Sequence, residues 1–208
     1  MNRRIEEHYR ALVRDHGDSH LAAQYSSRES QMRRFASLAR VGDVAGRSVL
    51  DFGCGTAALW QYFVARSTPP SLYRGVDIVE DLLDVAAKNC PSGRFTTPDG
   101  LGGERFDYVF ISGVFNNRRA GNRRFWQSTV ADLFSRTDVG LAFNLMSTYV
   151  DYRDDALFYE RPELAFSFIK KHLTPYVSLH HDYLAKDGSV PFEMTLFAYR
   201  EPVELWLP

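Results

Sequence analysis

Apolar residues occur along the chain in two alternating patterns. Short, nearly continuous apolar runs predict buried β-strands, and apolar residues three or four positions apart predict amphipathic helices. The predicted strands cover residues 49–52, 72–78, 93–97, 106–112 and 139–146, and the predicted helices between them cover 57–65, 79–89 and 125–134. Strands that alternate with helices in this way predict an α/β fold with a doubly wound, mostly parallel sheet.

The last third of the chain has a different pattern. Residues 147–160 form a long connection rich in Tyr and Asp, and a helix is predicted over 162–172. Two further strands, 176–183 and 192–200, flank the turn-forming residues 186–189 (Lys-Asp-Gly-Ser). We therefore expect an antiparallel hairpin to complete a seven-stranded sheet.

The first 44 residues are predicted to be helical. One helix covers 2–16, and a second begins near Ser27, which is a suitable N-cap, with Ser30 or Gln31 reaching back. Two interpretations of this section stay open at this stage. It is either a plain helical cover over the sheet edge or a lid above a ligand site, with three side chains aimed inward: Tyr25, Arg28 and Arg34. We divide the chain into a helical cap, 1–44, and a core domain, 45–208.

Composition and charge narrow the class of protein. The chain has 208 residues, of which 45% are hydrophobic and 14% aromatic, so we expect one folded domain and no extensive disorder. The formal net charge of -1 gives no bulk attraction to nucleic acid or anionic membranes. Two cysteines are too few for a disulfide framework, and no apolar run approaches a membrane span or a signal peptide. These features favour a cytoplasmic protein, monomeric or homodimeric.

Small and acidic residues follow several of the predicted strands. In open α/β sheets, ligands bind outside the carboxyl ends of the strands. The first strand runs into a glycine-rich turn, the second ends at an acid, the third is followed by Pro-Asp-Gly, and the fourth ends in a small-residue stretch. The residues at these ends are Asp51, Gly53, Cys54, Gly55 and Thr56; Asp77 and Ile78; Asp99 and Gly100; and Ser112, Gly113 and Val114. Together they predict a site for a nucleoside cofactor.

The glycine turn fits two kinds of cofactor. Residues 53–58 satisfy the G-x-G-x-x-G/A pattern of dinucleotide sites, with Ala58 in the last position, so spacing alone leaves NAD open. Asp51, however, places a carboxylate two residues before the first glycine. A carboxylate is a poor neighbour for a pyrophosphate and a good one for the cationic amino-acid portion of S-adenosylmethionine. We therefore predict S-adenosylmethionine as the cofactor, with S-adenosylhomocysteine as the product.

The sequence resembles the class I S-adenosylmethionine-dependent methyltransferases over roughly residues 45–200. Residues 49–56 (VLDFGCGT) are similar to the first motif of these enzymes, 75–78 (GVDI) to their second-strand acid, and 106–116 to their fourth-strand segment. The resemblance implies that Gly53 and Gly55 contact the methionine part. It also implies that Asp77 binds the ribose and Asp99 the adenine, and we add Tyr25 and Arg34 of the cap to the cofactor set. The chain departs from the common pattern at Ala57-Ala58, which replaces a frequent glycine.

Three residues are candidate catalytic residues that could bind the methyl acceptor or remove its proton: His181, Asn144 and Tyr149. His181 could be a general base or an ordinary strand histidine. Asn144 lies within an apolar strand, so its amide needs a partner, either a neighbouring loop or the ligand. Tyr149 could line an acceptor pocket or pack in the core. The carboxylates Asp151, Asp154 and Asp155 match no metal motif, and we predict no metal site.

The nature of the acceptor is less well defined. The Asn/Asp-Pro-Pro-Tyr motif of enzymes that methylate amino groups of nucleic acids is absent, which favours a small-molecule acceptor for O- or N-methylation. A basic patch near the fourth strand could receive an acidic small molecule, a phosphate or an RNA backbone, or it could be a solvated helix start; it comprises Arg118, Arg119, Arg123 and Arg124. Two rival functions stay open. One is an NAD(P)-dependent oxidoreductase, although no Tyr-x-x-x-Lys pair is present, and the other is a non-catalytic binding module.

Overall fold

The protein is built on one eight-stranded sheet flanked by helices on both faces. The computed structural model describes residues 3–204, except for the side chains of residues 3–6 and 23. The strands are β1 (Ser48–Phe52), β2 (Leu72–Val76), β3 (Arg94–Thr96), β4 (Phe106–Ile111), β5 (Thr137–Ser147), β6 (Tyr159–Glu160), β7 (Val177–His180) and β8 (Glu193–Tyr199). The helices are α1 (Arg3–His16), α2 (Arg28–Leu38), α3 (Ala58–Ala65), α4 (Glu80–Asn89), α5 (Asn122–Ser135) and α6 (Pro162–His172).

The sheet has the predicted doubly wound topology. Its strand order is β3-β2-β1-β4-β5-β8-β7, and β6 pairs with the end of β5. The first five strands are parallel, whereas β8 runs antiparallel to both β5 and β7. The order reverses between β1 and β4, which makes the crevice at their carboxyl ends the expected ligand position. The predicted fold class, with its C-terminal antiparallel hairpin, is confirmed.

Alternation along the strands separates two hydrophobic cores. Leu50 of β1 belongs to the core beneath α5 and α6, which includes Trp126 and Phe143. Val49 points to the opposite face and joins the core beneath α2 and α3, which includes Phe35 and Phe63. Both faces of the central strands are therefore buried, which explains why β4 and β5 are nearly continuous apolar runs.

The helices of the first 44 residues pack against the rest of the chain. Ser27 caps α2 as predicted, because its hydroxyl accepts a hydrogen bond from the Ser30 amide at 3.0 Å. Val13 and Ala22 pack on Val79 and Leu82 at the start of α4, next to the carboxyl end of β2. Within residues 3–204, no helix combines the length and apolar character required to cross a bilayer.

Several elements differ from the sequence-based prediction. Strand β7, predicted over 176–183, ends at His180, so His181 does not lie in a strand. Strand β2, predicted to residue 78, ends at Val76. Helix α5 begins at Asn122 rather than at 125, because the buried Asn122 side chain accepts from the Arg119 amide and donates to the Asn117 carbonyl. Its first residues are polar and carry no apolar periodicity. Residues 159–160, which form β6, were predicted as part of a long connection. Only these two residues pair with β5, and a strand of two residues is too short to show an alternating pattern in the sequence.

Candidate functional site

The glycine turn after β1 approaches two neighbouring strands. Gly53 and Gly55 both have positive φ, +82° and +53°, which side chains rarely tolerate. The amides of Gly53 and Cys54 donate to the Val76 carbonyl at 2.7 and 3.0 Å, so the turn is tied to β2. A Cβ on Gly53 would collide with the Val114 side chain of the β4 loop, whereas a Cβ on Gly55 would find no heavy atom within 4 Å. Gly55 thus exposes open backbone at the predicted cofactor position.

Asp77 lies against this turn from the end of β2. One carboxylate oxygen accepts from the Gly55 amide at 3.0 Å, and the other accepts from the Val79 amide at 3.0 Å. A carboxylate has about four acceptor positions, so each oxygen keeps capacity for another donor. Burial raises the pKa of Asp77, while the hydrogen bonds from Gly55 and Val79 lower it. Asp77 therefore holds the turn and retains capacity for a ligand hydroxyl.

Asp51 adds a second carboxylate beneath the turn. Its side chain is 2% exposed and accepts a short hydrogen bond of 2.5 Å from the Tyr73 hydroxyl. Burial raises the pKa of Asp51 to about 7, the Tyr73 hydrogen bond opposes that rise, and the charge of Asp77 adds to it. Two carboxylates that repel each other in a poorly solvated site favour a cationic ligand and disfavour a phosphate. The electrostatics agree with the sequence argument from Asp51.

The turn ends on a strained residue. Ala57, the first of the two alanines that replace the frequent glycine, precedes α3 with φ 62° and ψ 33°. This left-handed conformation costs a residue with a Cβ about 1–2 kcal/mol. No side chain caps α3 in the described structure, and Ala57 is fully buried. The backbone thus keeps the conformation that glycine would adopt without strain.

The carboxyl end of β4 is fixed by side chains from other elements. The hydroxyls of Ser112 and Tyr25 are hydrogen bonded at 2.9 Å, and the Gly113 amide donates to the Asn144 side chain at 2.8 Å. Tyr25 is buried, and burial raises its pKa to about 12 against the opposing hydrogen bond from Ser112. Residue 25 of the cap therefore reaches the predicted cofactor edge, whereas Val114 packs under Gly53.

Arg34 belongs to a buried polar network centred on Glu193. Its Nε donates to Glu193 at 2.8 Å, and its guanidinium lies over the Tyr25 ring at 5.3 Å. Asn144 and Tyr183 each donate to the other Glu193 oxygen at 2.9 Å. Both halves of the Asn144 amide are thus engaged inside the protein. Of the two partners considered for Asn144, the structure shows neighbouring protein groups.

The α1 segment closes over the same edge. The Tyr9 hydroxyl accepts from Asn117 of the β4 loop at 3.2 Å, and Gln24 accepts from the same Asn117 amide at 3.2 Å. Burial raises the pKa of Tyr9 to about 12; the Asn117 hydrogen bond lowers it, and the nearby charge of Asp77 raises it. The side-chain amide of Asn89 in α4 donates one hydrogen bond to the Asp18 carboxylate and another to the Thr56 carbonyl. The cap therefore contacts the β4 loop directly and is linked to the glycine turn through Asn89.

The other predicted cofactor residues lie around this edge with fewer contacts. The Cys54 side chain is buried under the turn, and burial raises the pKa of its thiol well above the ordinary value. Ile78 packs on the cap. Asp99 is exposed in a short 3-10 turn, and its neighbour Gly100 lies against the Thr96 hydroxyl. Arg28 of the cap is exposed.

The two remaining acceptor candidates, His181 and Tyr149, form a second cluster beyond the ends of β5 and β7. Their ring centroids are 6.5 Å apart. His181 is half-buried, and its Nε2 is buried with no hydrogen-bond partner among the described residues. Tyr149 is 60% exposed and donates to Glu163 of α6. Asp182, the sequence neighbour of His181, pairs instead with Arg40 at 3.2 Å.

Glu193 is the principal site residue that sequence reasoning missed. It lies in the apolar sequence Phe192-Glu193-Met194, and the argument that an amide inside a strand needs a partner applies even more strongly to a carboxylate. The Asn117 contacts with the cap had no comparable signal, because they depend on the path of the chain after α1. Among residues 3–204, no group of three His, Cys, Asp or Glu side chains is arranged to hold a metal ion.

Several solved structures that resemble this chain are methyltransferases. Magnesium protoporphyrin IX methyltransferase (ChlM) from Synechocystis PCC 6803, solved with bound SAH, matches with a TM-score of 0.67 and 16% identity over 94% of each chain. The methyltransferase domain of bacterial CtHen1 matches with a TM-score of 0.60 and 13% identity over 81% of this chain and 99% of that one. The CcbJ methyltransferase from Streptomyces caelestis gives a TM-score of 0.57 and 13% identity over 80% and 88%.

Sequence comparison alone finds no relative: no family model matches, and no curated protein matches. The structural matches nonetheless extend over most of the chain, 94% of it for ChlM. The chain therefore has the Rossmann-like fold of the class I S-adenosylmethionine-dependent methyltransferases.

Proposed function

We propose that this protein is an S-adenosylmethionine-dependent methyltransferase. The observation that carries the proposal is the pair of carboxylates, Asp51 and Asp77, beneath a glycine turn at the point where the strand order reverses. S-adenosylmethionine carries an ammonium, a carboxylate and a sulfonium and has no phosphate, so it suits this charge better than NAD does. ChlM, a structural neighbour, holds SAH in one solved structure and SAM in another.

The residues present fit such a ligand. Gly55 offers open backbone, and Asp77 has unused acceptor capacity for a pair of ribose hydroxyls. Asn116 of the β4 loop has a buried Oδ1 with no hydrogen-bond partner among the described residues, and a buried amide oxygen requires a donor. Gly113 and Ser112 bring small residues close to the same edge. We propose the cofactor set predicted from the sequence, with Tyr25 acting through Ser112 and Arg34 through Glu193.

When bound, the cofactor supplies an activated methyl group for direct displacement by an acceptor. The chain then has to align the acceptor, exclude water and, for an oxygen or nitrogen acceptor, remove a proton. The cap residues Tyr9 and Tyr25 cover the edge and exclude water from it. We propose His181 as the proton acceptor, because its buried Nε2 is unpaired in the described structure. The test is the pH–rate profile of His181→Gln. We expect this variant to lose the acidic limb of the profile, and an unchanged profile would reject the role.

We further propose that the acceptor is a small molecule. A cleft lies beyond β4, between the β4 loop, the start of α5 and residues 153–159. Asn144 supports the site by fixing the Gly113 amide, and Tyr149 stands at its rim. Ligand clefts for small molecules typically measure about 300–1,000 Å³, and a cleft in this size range adjoins the β4 loop.

The decisive experiment is a calorimetric titration with S-adenosylmethionine, S-adenosylhomocysteine and NAD. We expect micromolar binding of the first two and none of NAD. Gly55→Leu should weaken binding at least tenfold, because its side chain would project into the proposed site. Gly102→Leu is the matched control: Gly102 also has positive φ, +61°, and open space around it, but it lies away from this edge. Equal binding by both variants, or binding of NAD alone, would overturn the proposal.

A further inference from the structure

An arginine-lined cleft adjoins the candidate site on its α5 side. It has a volume of about 400 Å³ and lies between the residues that lead into α5 and the segment 153–159. Its lining includes four arginines and two aromatic rings: Arg118, Arg119, Arg123, Arg153, Phe158 and Tyr159. Arg124, which the sequence grouped with this patch, does not line the cleft.

One of the four arginines is neutralised inside the protein. Glu160, fully buried on β6, accepts two hydrogen bonds from Arg123, at 2.7 and 2.8 Å, and one from the Trp126 indole at 3.1 Å. The pair fixes Arg123 at one wall of the cleft. A buried carboxylate held by a fork of two hydrogen bonds is a rigid anchor rather than a mobile surface pair.

The other three guanidinium groups have no carboxylate partner within residues 3–204. Arg118 and Arg153 each donate to a backbone carbonyl, of Leu157 at 3.3 Å and of Thr148 at 2.8 Å. Arg119 lies over the Phe125 ring at 4.2 Å. Since a guanidinium carries five N–H donors, each of the three keeps several for a ligand. The nearby Asp154 is exposed and accepts from the Ala156 amide of its own turn.

The first turn of α5 adds a second, independent preference for anions. This helix has 14 residues, and its N-cap is Gly121 in the left-handed conformation with no side-chain cap. The free amides and the helix dipole at such an end favour negative charge. The arginines and the helix end therefore act on the same cleft.

The cleft and the cofactor edge share the β4 loop. The Asn116 carbonyl accepts from the Phe158 amide at 2.8 Å, and the Arg118 amide donates to the Ala156 carbonyl at 2.8 Å. The Asn116 side chain meanwhile faces Gly113 at the end of β4. A molecule anchored in the cleft would thus reach toward the position where the methyl group is transferred.

We infer that this cleft binds a phosphate group carried by the methyl acceptor, an inference that rests on the proposed function. Three uncompensated guanidinium groups and a helix N-terminus suit a doubly charged tetrahedral group better than a single carboxylate, because the charges balance more completely. The volume exceeds that of a phosphate alone, so part of the attached molecule lies in the cleft, beside Phe158 and Tyr159.

Phosphate binding can be measured without knowing the acceptor. The probe is inorganic phosphate, titrated into the purified protein at low ionic strength and followed by calorimetry. We expect millimolar or tighter binding, weakened at least tenfold in the double variant Arg118→Ala/Arg153→Ala. Arg124→Ala, which removes an exposed arginine of α5 that does not line the cleft, should change the affinity less than twofold. A thermal unfolding curve and the S-adenosylmethionine affinity of each variant show that fold and cofactor site are intact.

The outcomes separate this inference from the proposed function. The phosphate site is rejected if the protein binds S-adenosylmethionine normally but binds no phosphate. It is also rejected if all variants bind phosphate equally. Either result leaves the methyltransferase proposal standing. If the double variant unfolds, Arg119→Ala provides the same test on a residue that makes a stacking contact only. A ten-nucleotide single-stranded RNA distinguishes the source of the phosphate. Tighter RNA than phosphate binding, with a steep salt dependence, would reject a small acceptor.

Discussion

The two polar clusters at the carboxyl edge of the sheet are assembled in opposite ways. The cluster at β1 and β2 takes Asp51 from β1, Gly53 and Gly55 from the turn that follows it, and Asp77 from the end of β2. The cluster at β5 and β8 joins Arg34 to Glu193, 159 positions away, and Asn144 to the same carboxylate across 49 positions. The first cluster is local and open to a ligand, whereas the second is long-range, buried and saturated with hydrogen bonds. We infer that the first binds and the second holds the elements around it in place.

The largest expected effect comes from breaking the second cluster. Glu193→Ala would leave the Arg34 charge buried without a partner and remove the acceptor for Asn144 and Tyr183. The loss of one member of a buried ion pair typically costs about 3–5 kcal/mol, so we expect a decrease of that size in the free energy of unfolding. Denaturant unfolding followed by circular dichroism measures it.

A matched control uses the exposed ion pair on the same helix. Glu29 pairs with Arg33 of α2 at 2.6 Å but is largely exposed, so Glu29→Ala should cost about 1 kcal/mol or less. The double variant Arg34→Met/Glu193→Met removes both charges and should recover part of the loss. If Glu193→Ala unfolds at the same denaturant concentration as Glu29→Ala, the cluster does not stabilise the fold in this way.

The next effect depends on pH and tests the first cluster. The folded chain holds the proton of Asp51 more strongly than the unfolded chain does, because burial raises its pKa from 3.8 to about 7. The ionised Asp51 therefore lowers the free energy of unfolding. This loss grows as the pH rises from about 4 to 7 and reaches its full size above pH 7. Asp51→Asn should stabilise the ligand-free protein by about 1–3 kcal/mol at pH 8, after allowing for the unpaired amide donor, and by little at pH 4.

Asp107, near the amino end of β4, is the control, because its pKa is shifted in the opposite direction to that of Asp51. Burial tends to raise the pKa of Asp107, but hydrogen bonds from the Ser48 amide and hydroxyl outweigh it, so the pKa is lowered. Asp107→Asn should therefore destabilise the protein at neutral pH and have less effect as the pH falls below about 4. Asp51→Asn should also weaken S-adenosylmethionine binding. A stability gain for Asp51→Asn that is the same at pH 4 and pH 8 would contradict the raised pKa.

The contrast between the clusters also explains what the sequence could predict. Helix α6 was predicted over its observed span, and β1 differs by one residue, because periodicity and turn residues are local properties. The glycine turn and the acid after β2 were identifiable for the same reason. The Arg34–Glu193 pair was not, since Arg34 was predicted to face the cofactor and its partner lies in a distant strand. The engagement of Asn144 with Gly113 and Glu193 required the register of β5 against β8, which no local pattern specifies.

The smallest effect concerns Ala57, where the turn keeps a glycine-like backbone without a glycine. Ala57→Gly should relieve the left-handed strain, partly offset by the loss of a buried methyl group, for a net gain of about 0.5–1 kcal/mol. Ala58→Gly, one residue later and inside α3, should instead lose up to about 1 kcal/mol because glycine disfavours the helix. Thermal unfolding distinguishes the two signs. Neither variant should change S-adenosylmethionine affinity more than twofold, since the carboxylates and Gly55 stay in place; a large loss in Ala57→Gly would mean that the alanine methyl, and not only the backbone, shapes the site.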